Sequence, residues 1–296
     1  MTMIRIAIIS LAVFGSKTTS YFAPNHQILT SKMSAYSNSK LLDPADLILV
    51  IGNKRYSSWS LRGWLAARYV LGKDGFTEVM CRLAGAQASV DEKNSAREEI
   101  LKYSPTGKVP ALVDKQLGVV VCESIAIAYH IADRFPEVNL LPKDPVARAL
   151  VHAAAAEMHA GFGNIRNQMP HNCMVTCKSH FEKHVITNPD VQIEIRRLGE
   201  MWTNMRDRCG AGGLFLVGQF SIADVMYAPV AIRFMQYDPE LTSLSAFPIA
   251  QQYVRDLYQM DAVQEWIAGA AEEDKSTWIR AYELTSDSFN PMDFEL

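Results

Sequence analysis

Apolar and polar positions alternate in blocks along the first half of this chain. Leu47-Ile48-Leu49-Val50-Ile51 is a continuous apolar run of strand length. A polar turn, Gly52-Asn53-Lys54-Arg55-Tyr56, separates it from Leu61, Trp64, Leu65 and Leu71, which recur at helical spacing. Phe76–Leu83 is a second strand-like run, and Asp91–Tyr103 is charged and helix-favouring. Val109–Val113 and Gly118–Cys122 are short β-rich runs, and Asp114-Lys115-Gln116-Leu117 between them suits a hairpin. Ser124, Ala128, Ile131, Ala132 and Phe135 return to helical spacing. The order β-α-β-α-β-β-α predicts a mixed sheet with helices on its faces over residues 46–140.

Leu141-Pro142-Lys143-Asp144-Pro145 reads as a linker. Beyond it the pattern is helical only. Met158, Phe162, Ile165 and Met169 form an apolar stripe, and further helical stretches cover roughly 190–208, 222–236, 246–258 and 261–272. Residues 146–285 are therefore expected to form an all-helical second domain, giving an α/β plus all-α chain. The tail after about Ser286 is acidic and reads as loose. The opening residues differ from the body. Arg5 precedes the apolar Ile6–Phe14, and residues 15–42 are rich in Ser, Thr, Asn and Lys, with no acid until Asp43. Residues 1–45 read as a presequence or a disordered extension. Thr19-Ser20-Tyr21-Phe22-Ala23-Pro24 resembles the phenylalanine-containing cleavage motif of proteins imported into complex plastids. A used presequence implies a plastid or other organelle lumen; initiation near Met33 implies the cytoplasm.

The composition narrows the function. Lys+Arg 29 against Asp+Glu 32, with no basic stripe, argues against a nucleic-acid partner. No apolar stretch is long enough to span a bilayer, which argues against a membrane partner. The five cysteines are odd in number and scattered, which fits a reducing compartment. The chemistry concentrates at Ser57-Ser58-Trp59-Ser60-Leu61-Arg62, where a strand–loop–helix pattern puts hydroxyls at a helix N-terminus. Free N–H groups and the helix dipole stabilise an anion there, and a serine can donate to a thiolate. The plainer reading is that the serines cap the helix. His152, His159 and Arg166 are seven apart, which would put them on one helix face beside Ala155, Ala156 and Gly163. They suggest a second-substrate pocket, with a solvent-facing stripe as the alternative. Cys173, Cys177, His180 and His184 are spaced too compactly for a familiar zinc site, so no metal is expected. Ser221-Ile222-Ala223-Asp224 matches a capping box and reads as structural.

Three blocks together resemble the soluble glutathione transferases, over about residues 46–275. Ser57–Arg62 resembles the serine motif of zeta-type enzymes. Ser104-Pro105-Thr106-Gly107-Lys108-Val109-Pro110-Ala111-Leu112 with Cys122-Glu123-Ser124-Ile125-Ala126-Ile127 resembles the glutathione-site pair of their thioredoxin-like domain. Phe220–Asp224 resembles a helix-initiating motif of their C-terminal domain. At Trp59 zeta-type enzymes commonly carry a cysteine. The resemblance implies a thioredoxin-like N-terminal domain, an all-helical C-terminal domain and a homodimer. It implies glutathione as substrate or cofactor, with Ser57 as thiol activator. Ser58, Lys108, Val109 (before a cis proline), Glu123 and Ser124 would bind glutathione, and His159 and Arg166 would face the second substrate. The expected function is transfer of the glutathione sulfur to small electrophiles. Cis–trans isomerisation of a maleylacetoacetate-like diacid and a non-catalytic ligand-binding role are the alternatives.

Overall fold

The computed structural model describes residues 43–85, 88–210 and 212–289. The extension expected over residues 1–45 lies outside these residues, apart from its last three positions. β1 (Leu47–Ile51) leads into α1 (Ser58–Leu71), β2 (Thr77–Met80), α2 (Val90–Leu101), β3 (Ala111–Asp114), β4 (Val119–Cys122) and α3 (Ser124–Arg134). The sheet order is β2-β1-β3-β4. β1 runs parallel to β2 and antiparallel to β3, and β3 and β4 form the expected hairpin. Four of the five β1 residues are buried, as a central strand covered on both faces requires. This is the mixed sheet that the apolar pattern predicts.

The helical half comprises α4 (Pro145–Ala160), α5 (Gly163–Gln168), α6 (Pro189–Cys209), α7 (Ile222–Tyr237), α8 (Pro248–Tyr258) and α9 (Asp261–Ala271). The expected linker is well packed: Leu140 and Leu141 are buried, the Leu140 carbonyl accepts from Ile222 N–H, and Asp144 caps α4. Every residue of α7 except Met235 is buried, so it is the central helix of this half. Trp202 of α6 meets Tyr227 and Phe234 of α7 and Tyr253 of α8 in edge-on contacts of 5.2–6.1 Å between ring centres. Gly199 faces Phe247, whose ring would lie 2.3 Å from any Cβ placed there, so α6 approaches its neighbour only because this position has no side chain. Among the described residues no helix is long and apolar enough to cross a membrane.

Two expectations change, and one stretch forms a turn that the pattern does not mark. The stripe Met158, Phe162, Ile165 and Met169 is buried throughout, but it spans two helices, not one. Phe162 adopts φ 54°, ψ 38°, a left-handed conformation that ends the run after α4. Lys178–His180 forms a helical turn that continues as a π-turn over Phe181–Val185, a stretch with no marked periodicity. The acidic tail is held at least through Asp287, whose carboxylate accepts from the Lys178 and Ser179 N–H groups at 2.8 and 3.0 Å.

Candidate active site

The loop after β1 delivers the serine motif. Asn53 is buried, and its carbonyl accepts from the N–H groups of Tyr56 and Ser57. That closes a tight turn in front of α1. Ser57 is the N-cap. Its Oγ accepts from Ser60 N–H at 3.2 Å and donates to Ser60 Oγ at 2.7 Å, while Ser60 Oγ also accepts from Gly52 N–H at 3.0 Å. The Ser57 hydroxyl is thus engaged as donor and as acceptor. Ser58 opens the helix, and its Oγ accepts from Arg233 Nη2 at 3.5 Å.

The Val109–Pro110 bond is cis. Pro110 packs on α1 where Gly63 leaves room, 3.2 Å from a would-be Cβ. The β3–β4 register pairs Ala111 with Cys122, which sets Val109-Pro110 beside Glu123-Ser124. Glu123 is exposed and holds φ 75°, an uncommon conformation for a residue with a side chain. Ser124 is 1% exposed, and its hydroxyl has no partner among the described residues. Lys108 is exposed, and its N–H donates to Thr106 Oγ1.

A cavity of about 490 Å³ gathers much of this set: Ser57, Ser58, Trp59, Lys108, Val109 and Arg166 line it, together with His171, Arg233 and Tyr282. Glu123 and Ser124 adjoin Pro110 but are not among its lining residues. A larger cavity of about 710 Å³, between α2 and residues 278–281, contains none of the expected site residues.

His159 and Arg166 do not share a helix face, because the chain breaks at Gly161-Phe162 between them. The break still brings both to Trp59. The His159 ring meets the indole edge-on at 5.6 Å, and the Arg166 guanidinium lies 5.4 Å from its centre. Arg62 lies closer to the same ring, at 4.3 Å. His152 is elsewhere, stacked on Tyr129 of α3 at 5.3 Å. Of the cysteine–histidine set, Cys173 faces the Lys54 carbonyl, Cys177 faces Thr285 and His180 faces the Gln168 carbonyl. Among the described residues no three His, Cys, Asp or Glu side chains are grouped to hold a metal.

Three basic groups stand here that the sequence pattern does not single out. Arg62 is fully buried; it donates to the Met226 and Ser58 carbonyls and leaves Nη2 without a partner among the described residues. Arg233, 4% exposed, donates to the Met169 and Pro229 carbonyls. His171, 2% exposed, has no partner on either ring nitrogen among the described residues. Burial foremost, with help from neighbouring arginines, pushes Arg62 and His171 well down and Arg233 down to about 10. The hydrogen bonds of Arg62 and Arg233 go to carbonyls and one hydroxyl, not to carboxylates. The one signal in the sequence is Arg233 inside Val230-Ala231-Ile232-Arg233-Phe234, a lone charge in an apolar helix.

A C-terminal strap closes the loop before Ser57. Glu283 receives Arg55 Nε at 2.7 Å, Arg55 Nη2 at 3.1 Å and Tyr56 OH at 2.6 Å, all buried. Tyr282 stacks on Tyr56 at 5.3 Å. The Glu273 carboxylate accepts from the N–H groups of Lys54 and Arg55.

Residues 77–133 match the model of the glutathione S-transferase N-terminal domain, and residues 189–256 that of the C-terminal domain. A probable maleylacetoacetate isomerase from Caenorhabditis elegans is 35% identical over 72 residues, 24% of this chain. That match spans 33% of the relative's own length. The structure of glutathione transferase F2 from Populus trichocarpa superposes with a TM-score of 0.55 at 15% identity, covering 77% of this chain and all of that one. A Burkholderia glutathione transferase homologue with bound glutathione superposes at 0.50 and 17% identity, covering 77% of this chain and 99% of that one. Likeness at such identity concerns the fold, which is the expected thioredoxin-like domain followed by a helical one. Both domain models match in order on that fold, and with the isomerase-like relative they support a member of the glutathione transferase superfamily near the zeta type.

Proposed function

We propose that this protein is a glutathione transferase that adds the glutathione sulfur to small electrophiles. One observation carries the reading: the serine-bearing N-terminus of α1, Val109 before its cis proline and a cationic wall line a single cavity. The orphaned, buried hydroxyl of Ser124 beside Pro110 fits a ligand that the described residues do not replace. The Burkholderia homologue, which holds glutathione on this fold, adds support. In this reading Val109 pairs through its backbone with the cysteinyl part, in the manner of an added strand. Ser124, at the start of α3, receives the γ-glutamyl carboxylate, and Glu123 receives the ammonium. Lys108 lies at the rim to attract a carboxylate.

Bound glutathione supplies a thiol whose ordinary pKa, about 8.5, leaves only a few per cent ionised at neutral pH. The protein's contribution is a hydrogen-bond donor and a positive field at the sulfur. Resemblance alone makes that donor Ser57; the hydroxyl set against the cationic wall is Ser58. A homodimer is proposed on family grounds. The test is retention on a glutathione column, followed by turnover of a generic electrophile with the product identified by mass. Retention without any conjugate would favour a ligand-binding relative, and no retention would remove the reading.

Arg166 and the name of the C. elegans relative favour a second reading, isomerisation of a maleylacetoacetate-like diacid. Arg166 would grip the far carboxylate, a task suited to its planar fork. Arg166→Ala should then raise KM for maleylacetoacetate and leave conjugation of an uncharged electrophile nearly unchanged. Equal loss on both substrates would take Arg166 out of substrate recognition.

A further inference from the structure

We propose that Ser58 and Arg233 form the thiolate-holding pair of this site, Ser58 through its hydroxyl and Arg233 through its charge. The inference rests on the glutathione reading and adds to it the group that touches the sulfur.

Hydrogen bonds separate the two leading serines. Ser57 Oγ gives its hydrogen to Ser60 and caps the helix with its oxygen. Ser58 Oγ accepts from Arg233 Nη2, and its hydrogen has no acceptor among the described residues. Ser58 therefore keeps a donor in reserve, and the guanidinium behind it makes that donor stronger. Both Ser58 and Arg233 line the same cavity as Val109.

Charge points to the same place. Arg62, Arg166 and Arg233 converge here from α1, α5 and α7. Arg62 Nη2 is buried without a partner among the described residues. Desolvated cations with no carboxylate are costly unless an anion completes them. The free N–H groups and dipole of α1 favour the same sign at the same place. Arg62 is fully buried and acts only through its field, and Arg166 lies farther out, half-buried. Arg233 is the cation with both burial and access. Lys108 and Tyr282 face the cavity as well.

The step is an ionisation. The S–H bond breaks, its electron pair stays on sulfur, and the proton leaves to solvent through the open cavity. Nothing is oxidised or reduced. Ser58 donates to the sulfur so formed, and Arg233 balances its charge.

The test needs no electrophile: the ultraviolet absorbance of the thiolate is titrated with pH in the binary complex with glutathione, against the protein alone as baseline. The wild-type complex should ionise at least about one pH unit below free glutathione. Ser58→Ala and Arg233→Gln should each raise that midpoint by about one unit, which is roughly tenfold less thiolate at neutral pH. Arg233→Lys should recover most of the change. Ser57→Ala should lower stability and leave the midpoint in place. If Arg233→Gln does not fold, for want of its bonds to Met169 and Pro229, Ser58→Ala and Arg233→Lys carry the test. A low wild-type midpoint that no Ser58 or Arg233 variant moves overturns the proposal and spares the glutathione reading. So does a midpoint that moves only with Ser57→Ala, or a wild-type midpoint equal to that of free glutathione. Absence of glutathione binding would end both.

Discussion

Ser124 has a hydroxyl that is buried and, among the described residues, unpaired, immediately after a glutamate held at positive φ. An unmet donor and a strained backbone at one helix start are tolerated where a ligand completes them. Ser124→Ala should weaken glutathione binding by roughly 1.5–3 kcal/mol, the worth of a hydrogen bond to a charged group. Calorimetry would register this as a dissociation constant about tenfold to a hundredfold higher. An unchanged constant in a folded variant would make Ser124 a helix residue only. At this scale the sequence shows the motif residues, because Val109-Pro110 and Glu123-Ser124 stand in short contiguous blocks. It does not show Arg62, His171 and Arg233 as one group. They are far apart in the chain, and only the packing of α1 on α7 and the turn after α5 unites them. His159 and Arg166 do meet, at Trp59, but through a break in the helix and not through the seven-residue spacing that first linked them.

Elements were readable where their ends carry chemistry. The capping box at the start of α7 forms as its spacing implies: Asp224 Oδ2 accepts from Ser221 N–H at 2.9 Å and from Ser221 Oγ at 2.7 Å. Its other oxygen accepts from Leu216 N–H and Tyr253 OH, both at 3.1 Å. Burial outweighs these bonds and pushes the carboxyl from 3.8 up to about 6. A raised carboxyl binds its proton more tightly in the folded state than in the unfolded one. Its contribution to stability is therefore fullest below about pH 4 and is lost as pH rises through about 6. The difference in unfolding free energy between wild type and Asp224→Asn should fall across that window, by about 1.4 kcal/mol for each pH unit between the unfolded and folded midpoints. Urea denaturation at several pH values measures it, and a flat difference would mean that the capping bonds cancel the burial. The α4–α5 break and the π-turn at Phe181–Val185 were not readable, because a left-handed phenylalanine and a widened turn answer to tertiary packing, not to local preference.

Across the whole molecule, the ion pair of Arg55 and Glu283 joins two ends of the described chain, with both side chains under a tenth exposed. Tyr56 donates to the same carboxylate, and burial raises the Tyr56 pKa. Glu283→Ala would strand a buried guanidinium. It should cost about 3–5 kcal/mol, the usual loss when one partner of such a pair is removed. Pairing Arg55→Met with Glu283→Leu should return much of that loss, because the uncompensated charge goes too. Thermal or urea unfolding of the three variants decides it: a Glu283→Ala protein as stable as wild type would show that the strap rests on the surface without locking the loop. Nothing in the local pattern announces this contact, since neither residue stands in a periodic or motif-like setting.

The strap also sets an order of events during synthesis. The sheet and α1 emerge from the ribosome early, yet the loop that aims the serines is closed by Glu273, Tyr282 and Glu283, which are made long afterwards. Contacts across such a sequence distance form late, after shorter-range ones have condensed. A nascent chain halted before Glu273 can therefore hold a finished sheet and an unfinished active-site loop. Competence to bind at that loop would arrive only once Glu273, Tyr282 and Glu283 have been made, long after the serines they help to aim.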